Sequence, residues 1–298
     1  MRILFITSSR LGDAVIASGA IERIRLAHPM ARLTVACGAA AAGVFARLPG
    51  LERLIVFEKQ RFDRHWLSLW SCVVRDRWHI VVDFRGSALS FGLWAGRRVI
   101  VRGGRRPGRR YRQIGLACGF DPPPLPVVWT GPADRARAAR LIPQGTPVLG
   151  LGPTANWDGK IWPAARYVEL AARLGFARVA VFGGPGAGER AAAAPVLAGL
   201  PGAIDLVGAL SVAEAAAALA QCALFIGNDS GLMHLAAAAG VPTLGLFGRS
   251  RASEYAPAGP RAACIAAPGP EGDAAMEGLM VDDVLASARQ LIGETVSA

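Results

Sequence analysis

"LFIGNDSGLMHLAAAAGVPTLGLFG", residues 224–248, reads as a strand, a polar turn, an alanine-rich helix and a second strand. Two apolar runs joined through a helix need a crossover, so the stretch predicts a βαβ unit with parallel strands. The same alternation fills the chain. Apolar β-type runs stand near 2–7, 32–37, 53–57, 79–84 and 98–102, and again near 147–152, 177–182, 204–207, 223–226 and 242–246, with helical patterns between most of them. The expected class is α/β, with two similar parallel-sheet domains in tandem. Between the two series lies "DPPPLPVVWTGP", residues 121–132, whose five prolines exclude regular structure and mark a linker. A helix near 133–142 closes the first half, giving expected domains 1–142 and 143–298. Ligands of open α/β sheets bind beyond the carboxyl ends of the strands, so two such sheets facing each other would form one cleft.

The 298 residues, 52% hydrophobic and 18% charged, suffice for two cores. The apolar run at the start is too short for a signal peptide, and no apolar span reaches the roughly 20 residues of a membrane helix. A cytoplasmic protein without a transmembrane segment is expected. Five scattered cysteines suggest neither a disulfide framework nor a thiolate metal site. Charge is unevenly placed. Residues 1–142 carry 24 Lys/Arg against 9 Asp/Glu, and residues 143–298 carry 9 against 13. The densest run, "RRVIVRGGRRPGRRYR" at 97–112, holds eight arginines. Such a run is often a solvated loop, yet a basic half favours an anionic partner, and nucleic acid, an acidic membrane surface or a phosphorylated glycolipid would each fit.

Four stretches hold candidate chemistry. In "SSRLGDAV", residues 8–15, Asp13 stands where the first strand turns into the first helix. It reads either as a first-turn anion stabilised by the helix dipole or as a reacting carboxylate. "LGPTANWDGKIWP", residues 151–163, resembles a phosphate loop but has the wrong glycine spacing and Ile161 in place of Ser/Thr. It offers Thr154 and Lys160 to a diphosphate at a helix start, and Lys160 is one of only two lysines, the other being Lys59. In "FGGPGAGER", residues 182–190, Glu189 reads as a first-turn glutamate or as a ribose ligand. The turn of 227–231 groups Asn228, Asp229, Ser230 and Gly231 at a strand's carboxyl end. N-capping would explain one of them; a multiply hydroxylated ligand would explain all. His234 lies one helical turn along, either in the core or behind that turn. No D-x-D, no H-E-x-x-H and no G-x-S-x-G occurs, so neither a metal nor a serine nucleophile is expected.

"RILFITSSRLGDAV", "VVDFRGSALS", "GKIWP" and "GNDSGLMHLAAAAGVPTLGLFG" together resemble, in order and spacing, the lipopolysaccharide heptosyltransferase family, glycosyltransferase family 9. The resemblance implies the GT-B architecture, two Rossmann-like domains with the active site between them. It implies an inverting transfer of a sugar, typically heptose from ADP-heptose, to the inner core of lipopolysaccharide at the inner membrane surface, without metal or other cofactor. On this reading Asp13 is the general base, Lys160 holds the donor diphosphate, and Asp229, Ser230 and Gly231 surround the donor sugar and phosphates, with Asn228, Thr154 and Glu189 beside them. Arg10, Gly12, Arg85, Arg105, Arg106 and Arg109, in the basic half, are the expected acceptor contacts. Nucleic acid is then not a partner. Two alternatives stay open: a sugar-nucleotide epimerase or hydrolase on the same scaffold, and a module that binds acidic polymers through 97–112.

Overall fold

Strand β1 (Arg2–Ile6) contributes Ile3, Leu4, Phe5 and Ile6, all fully buried, because helices cover both faces of a parallel sheet and leave no solvent side to alternate toward. The computed structural model describes residues 1–58, 60–101 and 107–293. Two compact units divide the chain, Met1–Trp129 and Thr130–Ala298. After β1 the first unit continues with α1 (Leu11–Ala27), β2 (Arg32–Gly38), α2 (Ala39–Phe45), β3 (Leu51–Phe57), α3 (His65–Val73), β4 (Trp78–Asp83), β5 (Ala95–Ile100) and α4 (Arg110–Ala117). Its sheet is parallel in the order β3-β2-β1-β4-β5.

The second unit opens with α5 (Pro132–Leu141) and β6 (Val148–Gly152), then α6 (Ala164–Leu174), β7 (Arg178–Gly183), α7 (Ala187–Gly199), β8 (Ile204–Val207) and α8 (Val212–Leu219). It ends with β9 (Leu224–Asn228), α9 (Gly231–Ala238), β10 (Thr243–Phe247), α10 (Ala252–Tyr255), β11 (Ala262–Ala266) and α11 (Val281–Gly293). The order β11-β10-β9-β6-β7-β8, counted from β6 as the first strand, is 6-5-4-1-2-3, again parallel throughout. Both units are doubly wound, and in each the strand order reverses beside the first strand, between β1 and β4 and between β6 and β9. Strand β11 has no counterpart among the expected strands, since "AACIA" offers one β-branched residue and pairs only as a half-exposed edge on β10.

The boundary lies ahead of the one expected at 142/143. Helix α5 packs on α8 and so belongs to the second unit. The proline-rich segment is also no free linker. Ser18 Oγ of α1 accepts the Val127 N–H at 2.8 Å, and Glu22 accepts the Trp129 indole N–H at 3.1 Å. A Cβ on Gly19 would lie 2.2 Å from the Leu125 carbonyl oxygen, so only glycine lets the segment lie on the helix. With the sheet on one side and this segment on the other, every residue of α1 from Ala14 to Ile21 is buried.

Candidate active site

In the first unit the candidate side chains follow the strands that flank the reversal point. Helix α1 starts at Leu11, with Arg10 at the N-cap position but no side-chain cap. Asp13 is therefore a third-position residue and not the cap, and its carboxylate accepts the Ser8 hydroxyl at 3.2 Å. Ser8 Oγ in turn accepts the Arg10 backbone N–H at 3.1 Å. Asp13 remains half-exposed. Beneath it, Thr7 Oγ1 is buried with no partner among the described residues.

On the neighbouring strand β4, register-paired to β1 at Ile6 and Asp83, the fully buried Asp83 accepts the Arg85 N–H, the Ser87 N–H and the Ser87 hydroxyl at 2.7–2.8 Å. This aspartate folds the turn that presents the exposed Arg85 at the same sheet edge as Asp13. Gly12 stands in the first turn of α1 and Arg10 is exposed beside it. Arg109, at the N-cap position of α4, lies with its guanidinium carbon 5.8 Å from the Tyr111 ring centre. Arg98 serves the fold: its guanidinium donates to the carbonyls of Ser90, Leu93 and Ala95. Arg105, Arg106 and Lys59 lie outside the described residues.

In the second unit the corresponding groups stand after β6 and β9. Trp162 is fully buried, donates its indole N–H to the Leu279 carbonyl at 2.9 Å and packs edge-on against Tyr167. This anchor holds the short turn Asp158–Lys160, from which the Lys160 ammonium reaches Asp229 Oδ2 at 2.5 Å. The other Asp229 oxygen lies 3.8 Å from Nε2 of the buried His234, so His234 backs the turn. Asn228 accepts the Trp162 N–H at 3.1 Å and the Tyr167 hydroxyl at 2.9 Å through one oxygen. Burial raises the Tyr167 pKa well above its ordinary value, which keeps that hydroxyl a donor.

Asn228 Nδ2 and Ser230 Oγ are buried without a partner among the described residues. Ser230 occupies the N-cap position of α9 yet makes no capping bond. Capping therefore accounts for none of the polar side chains of this turn. Gly227 has a packing reason: a Cβ there would meet the Phe225 ring at 2.8 Å. Thr154, after β6, is buried. The Glu189 carboxylate accepts the Gly184 N–H at 2.9 Å through one oxygen, across the β7–α7 turn. Among the described residues no three His, Cys, Asp or Glu side chains are grouped closely enough to hold a metal ion.

Two doubly wound parallel α/β units, each with polar groups at its strand-order reversal, have the architecture of the GT-B class. The chain belongs to glycosyltransferase family 9 (heptosyltransferase), whose sequence profile matches residues 114–277. It is 29% identical over 287 residues to lipopolysaccharide heptosyltransferase 1 of Pseudomonas aeruginosa, covering 83% of this chain and 79% of that protein. It is 25% identical over 305 residues to lipooligosaccharide heptosyltransferase 2 of Haemophilus influenzae, covering 86% of each. The solved structure of E. coli ADP-heptose lps heptosyltransferase II matches with a TM-score of 0.78 at 22% identity over 99% of both chains.

Proposed function

We propose that this enzyme transfers heptose from ADP-heptose to a phosphorylated lipopolysaccharide core acceptor by a single inverting displacement that needs no metal. The observation that carries the donor half is the turn after β9, where Lys160 is drawn onto Asp229 and the buried Asn228 amide and Ser230 hydroxyl are left with unused hydrogen-bonding capacity. Unsatisfied buried polar groups are costly, so their presence at a reversal point supports a polar ligand there. A nucleotide sugar supplies both the hydroxyls that Asp229 would accept and the diphosphate that Lys160 and the α9 N-terminus would stabilise as charge builds on the leaving group. The acceptor half is supported by Asp13, a half-exposed carboxylate of the basic unit, acting as general base on the attacking hydroxyl. Arg10, Gly12, Arg85, Arg105, Arg106 and Arg109 are proposed to hold the acceptor's anionic groups.

The test is transfer by the purified protein from ADP-heptose to a heptose-free inner-core acceptor, with and without excess chelator. Product of inverted anomeric configuration is expected in both reactions. Abolition by chelator with recovery on adding magnesium would refute the metal-free route, and consumption of the nucleotide sugar without acceptor would favour an epimerase or hydrolase.

A further inference from the structure

Of the large apolar side chains left exposed in the first unit, Leu67 and Trp70 lie on α3 and Phe91 and Trp94 on the turn at 88–94 that packs against it. Leu67, Phe91 and Trp94 are each more than two-thirds exposed. Phe62, just before α3, is 92% exposed. Trp70 donates its indole N–H to the Gly92 carbonyl at 3.2 Å, which ties helix to turn. Trp66, Leu67 and Trp70 face Leu89 and Gly92 across an open depression of about 590 Å³ with Arg85 at its rim. Single exposed hydrophobics need no explanation; a contiguous group does.

Around this face Arg61, Arg64, Arg75, Arg77 and Arg85 are exposed, and the Arg77 guanidinium carbon lies 5.2 Å from the Trp94 ring centre. The nearby carboxylates offset them only in part. Asp76 is paired with Arg2 and Arg53, and Asp83 is buried in its own turn, which leaves the exposed Glu58 and Asp63 against the arginines. Aromatic side chains ringed by arginine match the boundary between lipid headgroups and acyl chains, where indole rings partition and cations meet anionic lipid. A twofold contact of the face with itself would set these arginines against one another, which argues against a second copy as its occupant. Arg85 also places the face next to the β4 end that neighbours β1 and Asp13.

We propose that this face seats the enzyme on an anionic bilayer, with Leu67, Phe91 and Trp94 in the interfacial layer and the surrounding arginines on the headgroups. The inference deepens the reading of a membrane-held acceptor and rests on it. No helix among the described residues is long and apolar enough to cross a membrane.

Cosedimentation with phosphatidylglycerol-containing vesicles, compared with pure phosphatidylcholine vesicles, tests it. Wild type is expected to pellet with the anionic vesicles and to be released by salt. The triple variant Leu67→Ser, Phe91→Ser, Trp94→Ser should bind at least about tenfold more weakly. The variant Arg61→Ser, Arg64→Ser should lose roughly thirtyfold at low salt, and it carries the test if the triple variant does not fold. Both should transfer sugar to a deacylated, water-soluble acceptor at the wild-type rate. Equal or absent binding of wild type to the two vesicle types overturns the proposal. So does loss of transfer to the soluble acceptor by a variant with wild-type melting temperature, which would make the face a sugar site. A dimer dissolved by the triple variant would assign the face to a second copy instead. Failure of the transferase reading is separate, since wild type would then not act on the soluble acceptor at all.

Discussion

At the scale of single residues, Asp13 and Lys160 make opposite demands on a variant. Among the described residues the Asp13 carboxylate is hydrogen-bonded to Ser8 alone, and Arg10, not Asp13, holds the N-cap position, so Asp13→Asn should fold normally and bind nucleotide sugar as before. Its kcat is expected to fall by about 10²–10⁴, because an amide cannot take the acceptor's proton. Turnover within a few-fold of wild type, measured beside a donor titration, would remove Asp13 as the base. Lys160 is tied to the buried Asp229, so Lys160→Ala has two consequences. It should weaken donor binding by about 1.5–3 kcal/mol, the range for a charge-assisted contact. It should also lower the melting temperature, by leaving a carboxylate unpaired in the interior. Calorimetric donor titration of the variant, with its thermal melt, separates the two effects. An unchanged donor affinity would refute the diphosphate role.

At the scale of elements, α1 is the most constrained piece of the first unit. Gly19→Ala should destabilise by about 1–3 kcal/mol or more, because the added methyl meets the backbone of residues 124–125 and not a flexible side-chain end. Gly188→Ala in α7, where nothing lies within 4 Å, should instead stabilise by about 0.5–1 kcal/mol. Denaturant melts of the two variants check the contrast, and equal effects would mean that the proline segment is not held on α1. The same helix carries an acid-sensitive tie. The Arg25 guanidinium, and then the Trp129 indole, hold the Glu22 carboxyl below its ordinary pKa of 4.5 against the opposing effect of burial. A lowered folded value means that the stabilisation is complete above 4.5 and disappears as pH falls through the folded pKa. Glu22→Gln should therefore melt below wild type at neutral pH, and the gap should close in acid. A gap independent of pH would remove the ionic tie.

At the scale of the whole molecule, the basic charge belongs to one folded unit. Residues 1–129 carry 21 Lys/Arg against 8 Asp/Glu, and the remainder carries 12 against 14. If the acceptor is anionic and held by the first unit, replacing Arg105, Arg106, Arg109 and Arg110 together by serine should raise the acceptor KM and flatten its salt dependence, with donor affinity little changed. Steady-state kinetics across ionic strength reads both. Equal losses for donor and acceptor would refute the division of labour.

The alternation of apolar runs, by itself, determined two parallel α/β units, because strands buried on both faces are uninterrupted stretches of Val, Ile, Leu and Phe that no surface pattern imitates. The residue types at the strand ends were equally legible: Asp13, Lys160 and the Asn228-Asp229-Ser230 turn are polar groups placed where the backbone turns out of a sheet. Tertiary structure alone decided what each of these groups touches. The Lys160–Asp229 pair spans 69 residues of chain, and the commitment of Asn228 to Trp162 and Tyr167 spans more than 60, so no local pattern contains them. It likewise decided that residues 124–129 of the proline-rich segment pack on α1, that α5 joins the second unit, and that "AACIA" becomes an edge strand. Local propensity is silent about partners distant in sequence, and those partners determine whether an extended or polar segment is covered, paired or left for a ligand.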